Sequence, residues 1–160
     1  MIKFIKKNPA IPQRWIVLTA LAYSLTTTQA QTLQAEKAFI KENMEFATKQ
    51  YSLMMQTPAQ GKNGKAIMPH SMRKDGTPSK GSIYLWTAGF FPGTLWYLSN
   101  YTGDKALQDS ALVYTHQMEP AKTFTDNHDI GFMMYCSYGN ANRFAPKDEY
   151  EDILVESARS

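Results

Sequence analysis

The feature that most restricts the fold of this chain is a helical pattern that repeats every 42 to 44 residues. Gly89-Phe90 and Gly131-Phe132 each open an apolar helix, 42 residues apart. Asp104 and Asp148 each open an amphipathic helix, 44 residues apart. A unit is therefore an apolar helix, a turn, and a helix with one buried face. Repeats of this length are the sequence mark of stacked helical pairs. A helix that is apolar on several sides belongs to an inner layer, and a one-sided helix to an outer layer. An α-solenoid and a closed α/α toroid both satisfy this pattern.

The elements follow from side-chain periodicity and punctuation. A first helix is expected over about Leu33 to Met55, with Ile40, Met44, Ala47, Tyr51 and Met54 on one stripe. Residues 57–82 are rich in Pro, Gly and basic side chains and read as a long loop with a short strand at Ala66 to Met68. Lys62, Lys65, Arg73, Lys74 and Lys80 give that loop a positive charge suited to an anionic ligand, although a solvated surface loop has the same composition. The next helix starts near Gly89, where Pro92 fits a first turn, and stops at Gly103. Asp104 is placed to cap a helix that buries Leu107, Ala111, Tyr114 and Met118, and Pro120 is expected to end it. An inner helix is expected over about Ile130 to Ser137. A last helix is expected to be capped by Asp148, with Tyr150, Ile153, Leu154 and Ser157 on one side.

Residues 1–30 carry the pattern of a secretion signal. Lys3, Lys6, Lys7 and Arg14 form a basic start, Trp15 to Leu25 is apolar, and Thr28-Gln29-Ala30 offers small residues at a cleavage site. The apolar stretch is short for a membrane span. Removal of this segment implies a periplasmic or secreted protein of residues 31–160, with no membrane attachment. The formal charge of +3 less these four cations leaves −1, so no basic face for nucleic acid is expected. Cys136 is the single cysteine, which excludes an intramolecular disulfide; its apolar neighbours suit a small core residue.

Two segments carry candidate chemistry: Trp86-Thr-Ala-Gly-Phe-Phe-Pro-Gly93 and Asn127-His-Asp-Ile-Gly-Phe-Met133. The repeat puts both where a loop enters an inner helix, so they should share one rim. Trp86 offers a flat apolar face for a sugar ring, and Asp129 a carboxylate for acid/base work or for holding hydroxyls. Taken singly, Trp86 also suits packing, and Asp129 also suits a helix cap. The spacing of His70, His116 and His128 supports no zinc site, and no cofactor motif is present. Periodicity alone leads to a helical repeat protein with an aromatic and acidic rim.

The segments WTAGFFPG, LWYLSNYTGD, HDIGFM and CSYGNANRF, in this order and separation, resemble the unsaturated glucuronyl hydrolases, glycoside hydrolase family 88, over roughly residues 82–160. The match departs at Leu85, where relatives often carry an acidic residue before the Trp. The resemblance implies an all-α fold, an (α/α)6 toroid of which this chain holds only the first two to three pairs. It implies hydrolysis of oligosaccharides ending in a 4,5-unsaturated uronic acid, left by polysaccharide lyases. The chemistry is vinyl-ether hydration rather than attack at the anomeric carbon. By resemblance Asp129 contacts the sugar and supports the catalytic acid, Trp86 stacks near the reactive ring, Phe90 follows one turn on, and His128 orients the carboxylate. The proton donor is expected further along than Ser160, so the chain alone is expected to be inactive. An unsaturated rhamnogalacturonyl hydrolase and a non-catalytic helical-repeat binding domain are the alternatives.

Overall fold

The computed structural model describes residues 13–56, 61 and 64–160, with side chains from residue 31 onward. The first twelve residues of the expected leader lie outside the described residues. Positions 13–30 are described as helical backbone only. Lys62 also lies outside the described residues. The chain divides into two compact units, Met1–Asn43 and Met44–Ser160. Among the described residues no helix is long and apolar enough to cross a membrane.

The structure is mostly helical. Helix α1 (Gln13–Met55) begins well before the expected Leu33. Of its expected stripe, Met54 is buried and Met44, Ala47 and Tyr51 are half-buried, whereas Ile40 is exposed. Helices α2 (Phe90–Thr102) and α3 (Lys105–Gln117) follow. A 3-10 turn (Glu119–Thr123) comes next; α3 stops at Gln117 with Met118 as its C-cap, two residues before Pro120, which lies in that turn. The expected inner helix then runs as α4 (Ile130–Met134), a π turn (Tyr135–Gly139) and α5 (Asn140–Phe144), without interruption and beyond the expected Ser137. Helix α6 (Asp148–Ser157) closes the described chain.

The layering agrees with the hydrophobic pattern. Helix α2 buries Phe91, Pro92, Gly93, Leu95, Trp96, Leu98 and Ser99, so it is covered on several sides. Helix α3 buries Leu107, Ala111, Tyr114 and Thr115, a single stripe, and Met118 completes that face. Trp96 Nε1 donates to Thr115 Oγ1 at 3.0 Å inside the core, which fixes α2 against α3 and satisfies both buried groups. Phe91 bridges Tyr51, stacked at 5.3 Å, and Tyr114, edge-on at 4.7 Å. Tyr138 meets Tyr150 edge-on at 5.4 Å, tying the π turn to α6.

Helix ends follow ordinary capping chemistry with one correction. Gly103 has φ 72°, and its N–H donates to the Ser99 carbonyl at 2.8 Å, so it stops α2 in the left-handed conformation that favours glycine. Asp104 Oδ1 accepts the Ala106 N–H at 2.8 Å and caps α3, as expected. Asp148 does not cap α6. Lys147 holds the cap position, and Asp148 lies in the first turn with Glu149 and Glu151, where negative charge complements the helix dipole. Asp104→Ala is expected to destabilise the fold by about 1 kcal/mol. Urea denaturation followed by circular dichroism checks this, and Asp104→Ser should recover most of the loss.

The expected long loop at 57–82 is in large part a β-hairpin. Strand β1 (Ile67–Met72) pairs antiparallel with β2 (Pro78–Ser82), with an irregularity between Pro69 and Ser71. Its turn is held by Asp75 Oδ1, which accepts from the Thr77 amide (2.9 Å) and the Thr77 hydroxyl (2.7 Å). These two bonds lower the Asp75 carboxyl below its usual value. Gly76 turns the chain at φ 80°.

Candidate functional site

The site grows out of two places where the chain enters an inner helix. The first is the run of turns from Ser82 to Gly89. Leu85 N–H donates to Ser82 O (3.2 Å), Ala88 N–H to Leu85 O (2.8 Å), and Phe90 N–H to Thr87 O (3.1 Å). Ile83 and Ala88 are buried beneath these turns. With the small apolar residues facing inward, Trp86 points out and is 51% exposed. Phe90, at the start of α2, is 38% exposed, and its ring meets Trp86 edge-on at 5.9 Å.

The second place is the turn from Asn127 to Asp129. Asn127 Oδ1 accepts the Asp129 N–H at 2.9 Å, and the Asp129 carbonyl accepts the Met133 N–H at 2.9 Å. Asp129 stands at the cap position of α4, yet its side chain makes no capping hydrogen bond. Its carboxylate faces His128 instead, with Oδ2 at 3.6 Å from Nε2. The Asp129 side chain is 36% exposed and that of His128 is 94% exposed, so His128 is in open solvent. The helix-cap alternative for the Asp129 carboxylate is therefore excluded by geometry.

Phe132 joins the two places and was not singled out from the sequence as a site residue. It lies three positions after Asp129, on the same helical face. Its ring meets Phe90 edge-on at 5.1 Å and Trp86 at 6.4 Å. Trp86, Phe90 and Phe132 thus form one exposed aromatic cluster, of which Phe132 lies one helical turn from Asp129. The 42-residue repeat carries a signal for this, because Phe90 and Phe132 hold equivalent positions in successive units. Phe132 also walls an open cavity of ≈ 630 Å³ lined by Tyr97, Tyr135, Asn140, Asn142 and Arg143, among others.

Other candidates separate from this rim. Arg73 is used by the hairpin turn, where its Nη1 donates to the Pro78 carbonyl at 2.9 Å. Lys74 and Lys80 are exposed on the hairpin. His116 lies near Tyr150, its Nε2 at 3.4 Å from the hydroxyl. Cys136 is half-buried rather than fully buried, and burial pushes its thiol up, away from thiolate reactivity. Among the described residues no three His, Cys, Asp or Glu side chains converge to hold a metal ion.

Comparison with known proteins gives a consistent answer. No family model matches the chain. It is 41% identical over 76 residues to an unsaturated glucuronyl hydrolase of Formosa agariphila, which covers 47% of this chain and 19% of that protein. It superposes on the crystal structure of an unsaturated glucuronyl hydrolase specific for heparin with a TM-score of 0.64 and 38% identity, over 74% of this chain and 31% of that one. It also superposes on a variant of the Streptococcus agalactiae unsaturated glucuronyl hydrolase complexed with dGlcA-GalNAc6S, with a TM-score of 0.57 and 21% identity, over 75% and 31% of the two chains. That last likeness is one of fold. The chain spans 19% to 31% of the length of these relatives. Its helices match the helical toroid of such structures over part of its circuit. Sequence and fold point the same way: the chain resembles the N-terminal portion of the unsaturated glucuronyl hydrolases of glycoside hydrolase family 88.

Proposed function

We propose that this chain is part of an exported hydrolase acting on oligosaccharides that end in a 4,5-unsaturated uronic acid. One observation carries the reading: the Asp129 carboxylate makes no bond to its helix, and one turn further on Phe132 joins the exposed rings of Trp86 and Phe90. Flat apolar rings beside a carboxylate suit a sugar, whose C–H faces stack while its hydroxyls donate hydrogen bonds. The kinship with unsaturated glucuronyl hydrolases supports the substrate class, and the leader pattern of residues 1–30 supports a periplasmic or secreted location.

In this reading Trp86 and Phe90 stack against the unsaturated ring. Asp129 accepts hydrogen bonds from its hydroxyls, and His128 biases the orientation of Asp129. The reaction protonates C4 of the double bond and adds water at C5. The resulting hemiketal opens, and the glycosidic bond breaks. A negative charge at Asp129 favours the protonated form of a neighbouring acid, so that the acid holds its proton until C4 takes it. No residue of the present chain is assigned the role of that donor, and the chain alone is expected to bind without turnover.

Tryptophan fluorescence titration with unsaturated chondroitin and heparin disaccharides tests the binding, and the absorbance of the double bond tests turnover. The expected result is saturable quenching with constant absorbance. Trp86→Ala should weaken binding roughly tenfold or more, as loss of an aromatic anchor does. Absence of quenching in the parent chain, or undiminished affinity in Trp86→Ala, would overturn the reading.

A further inference from the structure

We infer that Asn127 is a positioning residue for Asp129: its side chain holds the Asp129 amide in the turn that leads into the inner helix, and so keeps the Asp129 carboxylate off the helix start. The inference rests on the reading of Asp129 as the sugar-facing carboxylate. Its physical basis is a comparison inside this chain. At α3, Asp104 Oδ1 accepts the N–H two residues on, from Ala106, at 2.8 Å. At the inner helix, Asn127 Oδ1 accepts the N–H two residues on, from Asp129, at 2.9 Å. The two side chains make the same bond to the amide two residues on, but Asn127 makes it just ahead of the helix, whose cap position is held by Asp129.

That shift decides what Asp129 does. A capping Asp has extended backbone and folds its carboxylate onto the first amides of its helix. Asp104 is of this kind, with ψ 115°. Asp129 has φ −87° and ψ 11°, already turned into the helix, and makes no capping bond. Asn127 further reaches Met133 Sδ through Nδ2 at 4.0 Å, which keeps its amide oxygen facing the Asp129 N–H. Without the Asn127 oxygen the turn that holds the Asp129 amide loosens, and Asp129 is free to take the extended backbone of a capping residue, with its carboxylate accepting from the first amides of the helix. Asp129 would then swing from His128 onto its own helix.

Asn127→Ala and Asn127→Ser, each checked for parent-like circular dichroism, test this with two readouts. The first is the scalar coupling across hydrogen bonds by NMR, which needs no saccharide. In the parent chain the Asp129 amide should couple to the Asn127 side-chain carbonyl. In Asn127→Ala the Asp129 carboxylate should couple to the Gly131 amide. The second readout is affinity for an unsaturated chondroitin disaccharide. It should fall about tenfold in Asn127→Ala, the scale of one lost hydrogen bond to a charged group. Asn127→Ser, whose hydroxyl can accept the same N–H, should recover it. A residue with a merely structural role would lower stability and leave the Asp129 carboxylate uncoupled and the affinity unchanged; that result overturns the inference. If the parent chain binds no disaccharide, the functional reading fails, and the coupling pattern alone decides whether Asn127 holds Asp129 off its helix.

Discussion

Gly89→Ala is expected to lower the melting temperature of this protein by on the order of 10 °C, the scale of an overpacked core in a chain of this size. A Cβ at Gly89 would stand 2.1 Å from the Met133 carbonyl oxygen and 3.0 Å from its carbon. Gly93, one turn later on the same face of α2, repeats the situation, with a Cβ 2.5 Å from the Cys136 carbonyl oxygen. Both obstacles are backbone, so no side chain can turn aside to relieve them. Helix α2 and the inner helix after it therefore touch main chain to main chain, and the two glycines make that approach possible. The contact also sets the spacing between Phe90 and Phe132, so a displaced α2 would pull apart the aromatic cluster. Gly131 serves as the control. It lies between Asp129 and Phe132, but a Cβ there meets nothing within 4 Å. Gly131→Ala should be neutral or should stabilise by up to about 1 kcal/mol through helix propensity alone. Thermal denaturation of the three alanine variants by circular dichroism checks the contrast. Equal melting temperatures for Gly89→Ala and the parent would show that the helices are free to separate.

The inner and outer layers were legible in the sequence because burial on several sides and burial on one side leave different apolar patterns. The face of α3 and the caps Gly103 and Asp104 follow from the same chemistry. The hairpin was not legible. Its strands are short, Pro69 and Pro78 interrupt the pairing pattern, and the Lys74-Asp75-Gly76 turn sits in a stretch whose composition reads as loop. The length of the inner helix was hidden for a related reason. Gly139, Asn140 and Asn142 are poor helix formers, and packing of Tyr138 and Ala141 in the core carries the helix through them. At the rim, the repeat located Trp86 and Asp129 correctly at the entrances of successive inner helices. It could not choose the capping residue. Asn127 and Asp129 are both favoured caps, two positions apart, and only the three-dimensional turn shows that Asp129 holds the cap position without a capping bond while Asn127 accepts its amide.

Tyr138→Phe is expected to stabilise the protein by about 1 kcal/mol at neutral pH, the cost of a buried polar group left without a partner. The Tyr138 ring is fully buried in the π turn, and among the described residues its hydroxyl has no hydrogen-bond partner. Phenylalanine keeps the ring and its edge-on contact with Tyr150 and removes only the unsatisfied oxygen. The effect should grow in alkali. Burial raises the Tyr138 hydroxyl above its ordinary value, and the charges of Glu119, Tyr150 and Glu149 raise it further. A buried phenol that resists ionisation holds its proton in the folded chain while the unfolded chain loses it. Its contribution to stability is thus complete below about pH 10, the unfolded value, and is lost as pH rises beyond it. Tyr138→Phe has no such proton to lose, so the gap between variant and parent should widen above pH 10. Tyr114, also raised by burial, stays in both proteins and keeps some alkaline sensitivity in the variant. Urea denaturation at pH 7, 10 and 11 measures both parts. A variant less stable than the parent at pH 7 would mean that the hydroxyl holds a favourable bond in solution. A constant gap across the series would mean that alkaline unfolding is driven from elsewhere in the chain.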